Sequence, residues 1–171
     1  MKNKIFITGS SGFVGRNLVK YLDPIYIIEK YFRNSLIKLD HEIIIHLAGM
    51  AHDLKYVTSS AEYYDVNTQL TKRIYDAFLT SNAKVFITLS SVKAVADKVE
   101  GELNEDVTPN PITHYGKSKL LAEQYILSKI VPEGKRVYIL RPCMIHGPGN
   151  KGNLNLLYKI VSKGIPWPLG S

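Results

Sequence analysis

The sequence predicts an α/β fold in which a parallel β-sheet is covered by helices on both faces. Short apolar runs alternate with segments of helical period to the end of the chain, and this alternation is typical of βαβ units. The apolar runs are rich in Ile and Val, as expected for strands that are buried on both faces of a sheet. A glycine-rich turn joins the first run to the first helical segment, which indicates close packing of a helix on a strand.

The individual elements follow from the periodicity. Strands are predicted at residues 4–8, 25–28, 42–47, 84–89 and 136–140, with an extension of the second strand to residue 31 left open. Helices are predicted at residues 12–22, about 61–81, about 114–130 and 153–163. Residues 92–113 form the one long irregular connection, and loops of that length in compact domains usually have a function.

Composition excludes several classes of protein. The chain has one cysteine, Cys143, so neither an intrachain disulfide framework nor a Cys-rich zinc site is available, and a cytoplasmic location is expected. No apolar run approaches the about 18 residues of a membrane span, so no membrane association is expected. The five histidines are too dispersed to predict a metal site, and His46 is interpreted as a packed or backbone-bonded residue.

The charge distribution indicates what kind of ligand the chain favours. The net charge of +7, from 22 Lys and Arg against 15 Asp and Glu, is spread along the chain without a basic run. Such scatter is typical of a solvated surface, so nucleic-acid binding is not expected. A positive field still favours a small anionic ligand such as a diphosphate.

Three glycines, Gly9, Gly12 and Gly15, follow the first strand and open the first helix. Glycines at such a turn let the chain bend tightly and let a pyrophosphate approach the backbone, while the helix N-terminus supplies free N–H groups and positive potential. The sequence therefore predicts dinucleotide binding at this turn.

The glycine spacing and the segments that follow it resemble the extended short-chain dehydrogenase/reductase family, which includes nucleotide-sugar epimerases, dehydratases and ketoreductases. The matching segments occur in the family's order: Gly9, Gly12, Phe13 and Gly15; His46-Leu47-Ala48-Gly49; Asp65-Val66-Asn67; Ser90-Ser91; Tyr115-Gly116-Lys117-Ser118-Lys119; Arg141-Pro142; and His146-Gly147-Pro148-Gly149. The resemblance implies a Rossmann-like, NAD(P)-binding domain over residues 1–171.

The resemblance also implies a site for NAD or NADP. Its cofactor-binding residues would be Gly9, Ser11, Gly12, Phe13, Val14, Gly15, Glu29, Arg33, Leu47, Ala48, Gly49, Asn67, Tyr115, Lys119 and Pro142. Glu29 is the candidate partner of the adenosine ribose, whereas Arg33 could instead meet a 2′-phosphate, so the choice between NAD and NADP stays open.

A catalytic group of Ser91, Tyr115 and Lys119 follows from the same resemblance. Residues four apart share one helix face, so Tyr115 and Lys119 can point into the same cleft. Tyr115 would be the general acid/base on a sugar oxygen, Lys119 would bind the nicotinamide ribose and lower the Tyr115 pKa, and Ser91 would donate to the substrate oxygen. Ser91 is chosen over Ser90 because the second serine is the catalytic one in the family's pattern.

The residues after Ser91 narrow the reaction. Family dehydratases carry Asp-Glu at this point, and this chain has Val92-Lys93, so dehydration is disfavoured and epimerisation or 4-ketoreduction of a nucleotide sugar remains. Substrate contacts are assigned to Ser91, Val92, Tyr115 and Asn153. Asn153 would face the diphosphate or simply cap the last helix.

The chain departs from the family at two places. Between residues 25 and 47 it is short by roughly one strand and its helix, so the sheet is expected to be shortened around the third strand. It stops at Ser171, so the substrate lobe is expected to be absent or only begun after about residue 150. A non-catalytic dinucleotide-binding module, or an inactive truncated homologue, is therefore the alternative to an enzyme. The family resemblance further implies a homodimer formed through the helices at 61–81 and 114–130.

Overall fold

The computed structural model describes residues 3–32, 37, 39–50, 59–150 and 153–164, with the backbone alone for 153–156. Five strands form one sheet in the order β2-β1-β3-β4-β5, and every neighbouring pair is parallel. The strands are β1 (Lys4–Thr8), β2 (Ile27–Lys30), β3 (Ile43–His46), β4 (Val85–Leu89) and β5 (Arg136–Leu140). The predicted parallel α/β fold is confirmed.

Helices cover the sheet on both faces, as predicted. They are α1 (Phe13–Leu22), α2 (Ser60–Tyr63), a π-helical segment (Tyr64–Gln69), α3 (Leu70–Thr80), a short 3₁₀ turn (Val92–Ala94), α4 (His114–Leu127) and α5 (Asn153–Val161). Side chains of α1 pack against Ile5, Ile7 and Ile45 on one face of the sheet. Those of α3 and α4 pack on the opposite face, in a buried cluster with Phe6 and Phe86 at its centre. In the part of the chain that the structure describes, no helix is long and apolar enough to cross a bilayer.

The predicted burial of all strands on both faces is wrong for β2 and β5. These strands lie at the two edges of the described sheet. Ile27 on β2 is 51% exposed, and Tyr138 and Leu140 on β5 are 45% and 48% exposed. Edge strands have a neighbour on one side only, and the described helices leave the α1 side of β5 uncovered. The central strands β1 and β3 are buried as predicted.

The segment between β2 and β3 is shortened, in agreement with the sequence. Tyr31 still follows the sheet by donating its N–H to the carbonyl of Ile7, but no further strand occurs among the described residues before Ile43. The sheet therefore begins at β2, with β1 as its second strand.

The parallel arrangement brings the carboxyl ends of the strands to one edge of the sheet. The glycine turn follows β1, the segment 47–50 follows β3, and Ser90 and Ser91 follow β4. In open parallel sheets, ligands bind in the crevice outside these strand ends.

Candidate active site

The glycine turn adopts the tight form that its sequence predicts. The N–H of Gly12 donates to the carbonyl of Gly9 at 3.0 Å, and Gly9 has a positive φ of 70°. A Cβ on Gly15 would collide with the carbonyl oxygen of Gly9, so the helix can approach the strand only with glycine there. No side chain caps α1, and Ser11 and Gly12 are exposed, so the turn presents backbone N–H groups to solvent. Such a turn suits an anion.

A buried histidine connects this turn to the neighbouring elements. His46 Nδ1 lies 2.7 Å from the hydroxyl of Thr8, and His46 Nε2 lies 2.9 Å from the hydroxyl of Thr71. Because Thr71 donates its own hydrogen to the carbonyl of Asn67, it must accept from Nε2–H, and Thr8 then donates to Nδ1. Thr8 also accepts the N–H of Ala48 at 3.1 Å. The sequence interpretation of His46 as packed was right about burial and missed both side-chain partners.

Asn67 supports residues 47–50 through its side-chain amide, and its assignment as a cofactor-binding residue stays a prediction. It is fully buried on the π-helical segment. Its Oδ1 accepts the N–H of Met50 at 2.7 Å, and its Nδ2 donates to the carbonyl of Met50 and to the hydroxyl of Ser118. These bonds hold residues 47–50 in place, and a Cβ on Gly49 would lie 3.2 Å from Asn67 Oδ1, so the amide lies directly behind a residue that lines the cavity.

Ser91, Tyr115 and Lys119 line one cavity of about 240 Å³. Of the other residues predicted from the sequence, the cavity includes Val14, Leu47, Gly49 and Pro142. It also includes residues that the sequence did not single out as site residues: Met50, Leu89, Ser90, Cys143, Met144 and Ile145. The structure thus brings the predicted catalytic residues together, next to the helix that begins at the glycine turn.

Burial has the largest effect on the pKa values of Tyr115 and Lys119 in this cavity. Burial raises the pKa of Tyr115, although a hydrogen bond with Ser91 opposes the shift. The lowering of the Tyr115 pKa by Lys119 and a positively charged nicotinamide stays a prediction for the chain with its cofactor bound. Burial lowers the pKa of Lys119 itself to about 8, against an opposing effect of Glu123. The ammonium of Lys119 donates to the carbonyl of Leu89 at 2.9 Å, so its charge is directed toward the end of β4.

The start of α4, which positions Tyr115, is held by Asp97 in the long loop. The carboxylate of Asp97 accepts the N–H groups of Ile112 and Thr113 at 2.6 and 3.0 Å, and the hydroxyl of Thr113 at 2.8 Å. Thr113 in turn caps α4 by accepting the N–H of Gly116 at 3.1 Å. Burial alone would raise the pKa of Asp97, but these hydrogen bonds hold it below its ordinary value. Asp97 is not recognisable as a supporting residue from the sequence, whereas Thr113, directly before a helical run, is a recognisable helix cap.

An ion pair with a buried carboxylate fixes α4 to the residue after β5. Arg141 Nε donates to both carboxylate oxygens of Glu123 at 3.1 Å, and Nη2 donates to Oε2 at 2.6 Å. The Glu123 side chain is 2% exposed, and it lies one helical turn beyond Lys119. The pair therefore stabilises the part of α4 that carries the cavity lysine.

The remaining predicted site residues lie elsewhere. Glu29 is bonded to His41 at 3.1 Å, and it pairs in register with Phe6, whose side chain faces α3 and α4. The structure thus directs Glu29 away from the glycine turn and corrects its assignment to the adenosine ribose. Val92 begins the 3₁₀ turn after Ser91, outside the cavity lining. Arg33 lies outside the described residues, as does the side chain of Asn153.

Comparison with known proteins identifies the family. The family model of the NAD dependent epimerase/dehydratase family matches residues 28–165. The chain belongs to this family. The match confirms the resemblance read from the sequence and extends over most of the described sheet.

Two curated relatives show the range of the family. The chain is 32% identical to a UDP-glucose 4-epimerase from Vibrio cholerae, over all of this chain and 60% of that protein. It is 30% identical to a GDP-6-deoxy-D-mannose reductase from Pseudomonas aeruginosa, over 88% of this chain and 55% of that protein. The chain therefore spans little more than half the length of these relatives.

Two solved structures share the fold of this chain. A UDP-glucuronic acid 4-epimerase from Bacillus cereus in complex with NAD superimposes with a TM-score of 0.77, at 20% identity over 95% of this chain and 65% of that one. The RMD protein from Pseudomonas aeruginosa complexed with NADPH gives a TM-score of 0.73, at 25% identity over 96% and 62%. In the described ranges of this chain, no group of three or more His, Cys, Asp or Glu side chains could hold a metal ion.

Proposed function

We propose that this chain forms the NAD(P)-binding and catalytic part of a nucleotide-sugar epimerase or 4-ketoreductase. The observation that carries the proposal is the single cavity shared by Ser91, Tyr115 and Lys119 beside the glycine turn. Family membership supports the cofactor, and the epimerase and the reductase among the relatives support the two reaction types.

The residues of the turn and the cavity fit a dinucleotide. The diphosphate would lie on the free N–H groups at the start of α1, where the glycines leave the backbone accessible. The cavity that extends from Val14 to Tyr115 has the volume and position for the nicotinamide end. When bound, the cofactor supplies reversible hydride transfer.

Proton transfer is assigned to Tyr115. Its raised pKa keeps the phenol neutral near pH 7, so it can donate a proton to a sugar oxygen as that oxygen gains charge. Ser91, which is bonded to Tyr115, would hold the same oxygen. Lys119, with a pKa of about 8, carries its proton at neutral pH and lies close enough to Gly49 that a Cβ there would be 2.9 Å from Nζ. It would bind a hydroxyl of the nicotinamide ribose and supply positive charge.

The proposal also covers the type of reaction and the oligomeric state. The absence of a carboxylate pair at Val92 and Lys93 favours epimerisation or reduction over dehydration.

A homodimer through the helical segments 60–80 and 114–127 is proposed from family resemblance, and sedimentation of the purified chain tests it.

The test compares two tyrosines of α4. Binding of NADH and NADPH is followed by thermal shift and fluorescence, and turnover is assayed with UDP-hexoses and GDP-6-deoxy-hexoses. Tyr115→Phe should keep dinucleotide binding and lose turnover by about 10² to 10⁴-fold, the usual contribution of a general acid/base. Tyr125→Phe is the matched control, because Tyr125 bonds Asp76 outside the cavity. Retained turnover in Tyr115→Phe would refute the mechanism, binding without turnover in the parent would support the non-catalytic alternative, and no dinucleotide binding would refute the function.

A further inference from the structure

A second cavity, of about 330 Å³, lies between α1 and β2 beside the glycine turn. Its lining includes Ser10 of the turn and three basic side chains, those of Arg16, Lys20 and Lys30. Asp23 is the acidic residue among its lining. The walls therefore carry three positive charges against one negative charge, and an anion is the ligand that they favour.

The secondary structure explains why these cations converge. Arg16 and Lys20 are four apart on α1 and share one face of that helix. Lys30 ends β2 and pairs in register with Ile7, which packs on the α1 side of the sheet. Arg16 Nη1 donates to the carbonyl of Ser11 at 3.1 Å, which holds the guanidinium at the turn.

The cations of this cavity are free to bind a ligand. All three are exposed, and none of them forms an ion pair with a residue in the described part of the chain. The acidic residue of β2, Glu29, is bonded to His41 on the opposite face of the sheet. An acidic side chain at the end of the second strand normally binds the ribose hydroxyls of NAD and repels a 2′-phosphate. Here that position faces away, and a lysine faces the cavity.

We propose that this cavity receives the 2′-phosphate of NADP(H), so that the chain binds NADPH in preference to NADH. The inference rests on the proposed function and chooses between the two cofactors that it leaves open. A phosphate monoester carries a charge of about −1.5 to −2 at neutral pH and three acceptor oxygens. Arg16 offers a planar fork of donors for two of these oxygens, and Lys20 and Lys30 offer point charges.

Binding measurements on the purified chain test the proposal directly. NADPH should bind more tightly than NADH by about ten- to a hundred-fold, the range expected for one hydrogen bond to a charged group. The fragment 2′,5′-ADP should bind more tightly than its isomer 3′,5′-ADP, which has the same charge. Because the site is exposed, the preference should shrink as the salt concentration rises.

Substitutions then locate the preference. Lys30→Gln and Arg16→Gln should each lower the ratio of NADPH to NADH affinity by about ten-fold and leave NADH binding nearly unchanged. Lys72→Gln is the matched control. Lys72 is on α3 and lies over the ring of Tyr125 on α4, so it does not line the cavity. Thermal unfolding of each variant shows that it is folded.

The outcomes distinguish failure of the 2′-phosphate site from failure of the proposed dinucleotide-binding function. Equal affinity for NADH and NADPH, or tighter binding of NADH, overturns the 2′-phosphate site and leaves dinucleotide binding intact. Equal binding of the two ADP isomers also overturns it, because it shows attraction to charge without recognition of the 2′ position. A preference that survives both substitutions assigns the phosphate to other residues and overturns it too. If neither NADH nor NADPH binds, the proposed function is refuted as well.

Discussion

Gly9 occupies a position where the backbone itself excludes a side chain. Its φ is +70°, and a Cβ would lie 2.5 Å from the amide nitrogen of Ala48 and 2.6 Å from the carbonyl carbon of Leu47. Gly9→Ala should therefore lower the free energy of unfolding by about 3 kcal/mol or more, because a backbone collision adds to the cost of a left-handed residue of about 1 kcal/mol. Urea unfolding of the variant and the parent measures the loss.

Gly134 is the control for Gly9. It has a similar φ of +78°, but a Cβ there would meet nothing within 4 Å. Gly134→Ala should cost about 1 kcal/mol, the conformational part alone. Equal losses at the two glycines would contradict the steric account of the turn.

The sequence could predict individual residues where a motif fixes both spacing and chemistry. Tyr115 and Lys119, one helical turn apart, do line one cavity with Ser91, although their chemical roles stay predictions. It could not predict the far wall around Cys143 and Met144, because these residues follow β5 in irregular structure without any period. Asn67 matched the motif, and its burial beneath residues 47–50 became visible only in the fold.

Among the elements, α3 ends in an unusual C-terminal contact. The ammonium of Lys135, just before β5, donates to the carbonyls of Phe78, Ser81 and Ala83 at 3.0, 2.6 and 2.6 Å. The last carbonyls of a helix have no partners within it and carry partial negative charge. Lys135→Met keeps the apolar stem and removes the donor, so it should lower the free energy of unfolding by about 2–3 kcal/mol.

A second lysine separates this cap from general lysine effects. Lys129 lies 4.7 Å from the centre of the Tyr125 ring. Lys129→Met should cost at most about 1 kcal/mol, the value of an exposed cation–π contact. Urea unfolding of both variants checks the order, and a smaller loss at position 135 than at position 129 would contradict the capping role.

Element boundaries were predictable where the apolar run itself ends. The predicted strands at 4–8 and 136–140 match β1 and β5 to the residue. The strand predicted from residue 25 begins two residues later, because the N–H groups of Ile25 and Tyr26 still bond back to Leu22 in a turn. Its end at Lys30 falls between residue 28 and the extension to residue 31 that the sequence left open. The predicted helix at 61–81 contains a π-helical segment, which the sequence did not reveal, since the repeat of Leu70, Ile74 and Phe78 lies beyond it.

At the scale of the whole molecule, the sequence shows that strands pair but not which strands lie at an edge. The apolar content of β5 predicted burial on both faces, yet Tyr138 and Leu140 are half-exposed. Burial of an edge strand depends on what lies beside it, and the composition of the strand does not record that. The hydrogen-bond partners of His46 could not be predicted from the sequence either, because Thr8 on β1 and Thr71 on α3 meet it only in the fold.

The connection of β1, β3 and α3 through His46 should make the stability of the whole fold depend on pH. Burial, with a smaller effect of Lys119, lowers the pKa of His46 from 6.5 to about 3. Between about pH 6.5 and pH 3, His46 therefore binds a proton in the unfolded chain but not in the folded chain. Stability from this group is complete above about pH 6.5 and is lost progressively as the pH falls toward 3. At about 1.4 kcal/mol per pKa unit, the loss at pH 4.5 is about 2–3 kcal/mol.

His46→Gln tests this dependence, because glutamine keeps a donor and an acceptor and does not titrate. The free energy of unfolding of the parent and the variant is measured by urea unfolding from pH 7.5 to 4.5, and the difference between them cancels the carboxylates that both chains share. At pH 7.5 the variant should be less stable, since an amide cannot reach both Thr8 and Thr71 in the geometry of the ring. Toward pH 4.5 the difference should shrink by about 2–3 kcal/mol, because only the parent can take up a proton at position 46 on unfolding. Parallel curves for His46→Gln and the parent would show that the network does not hold a neutral histidine.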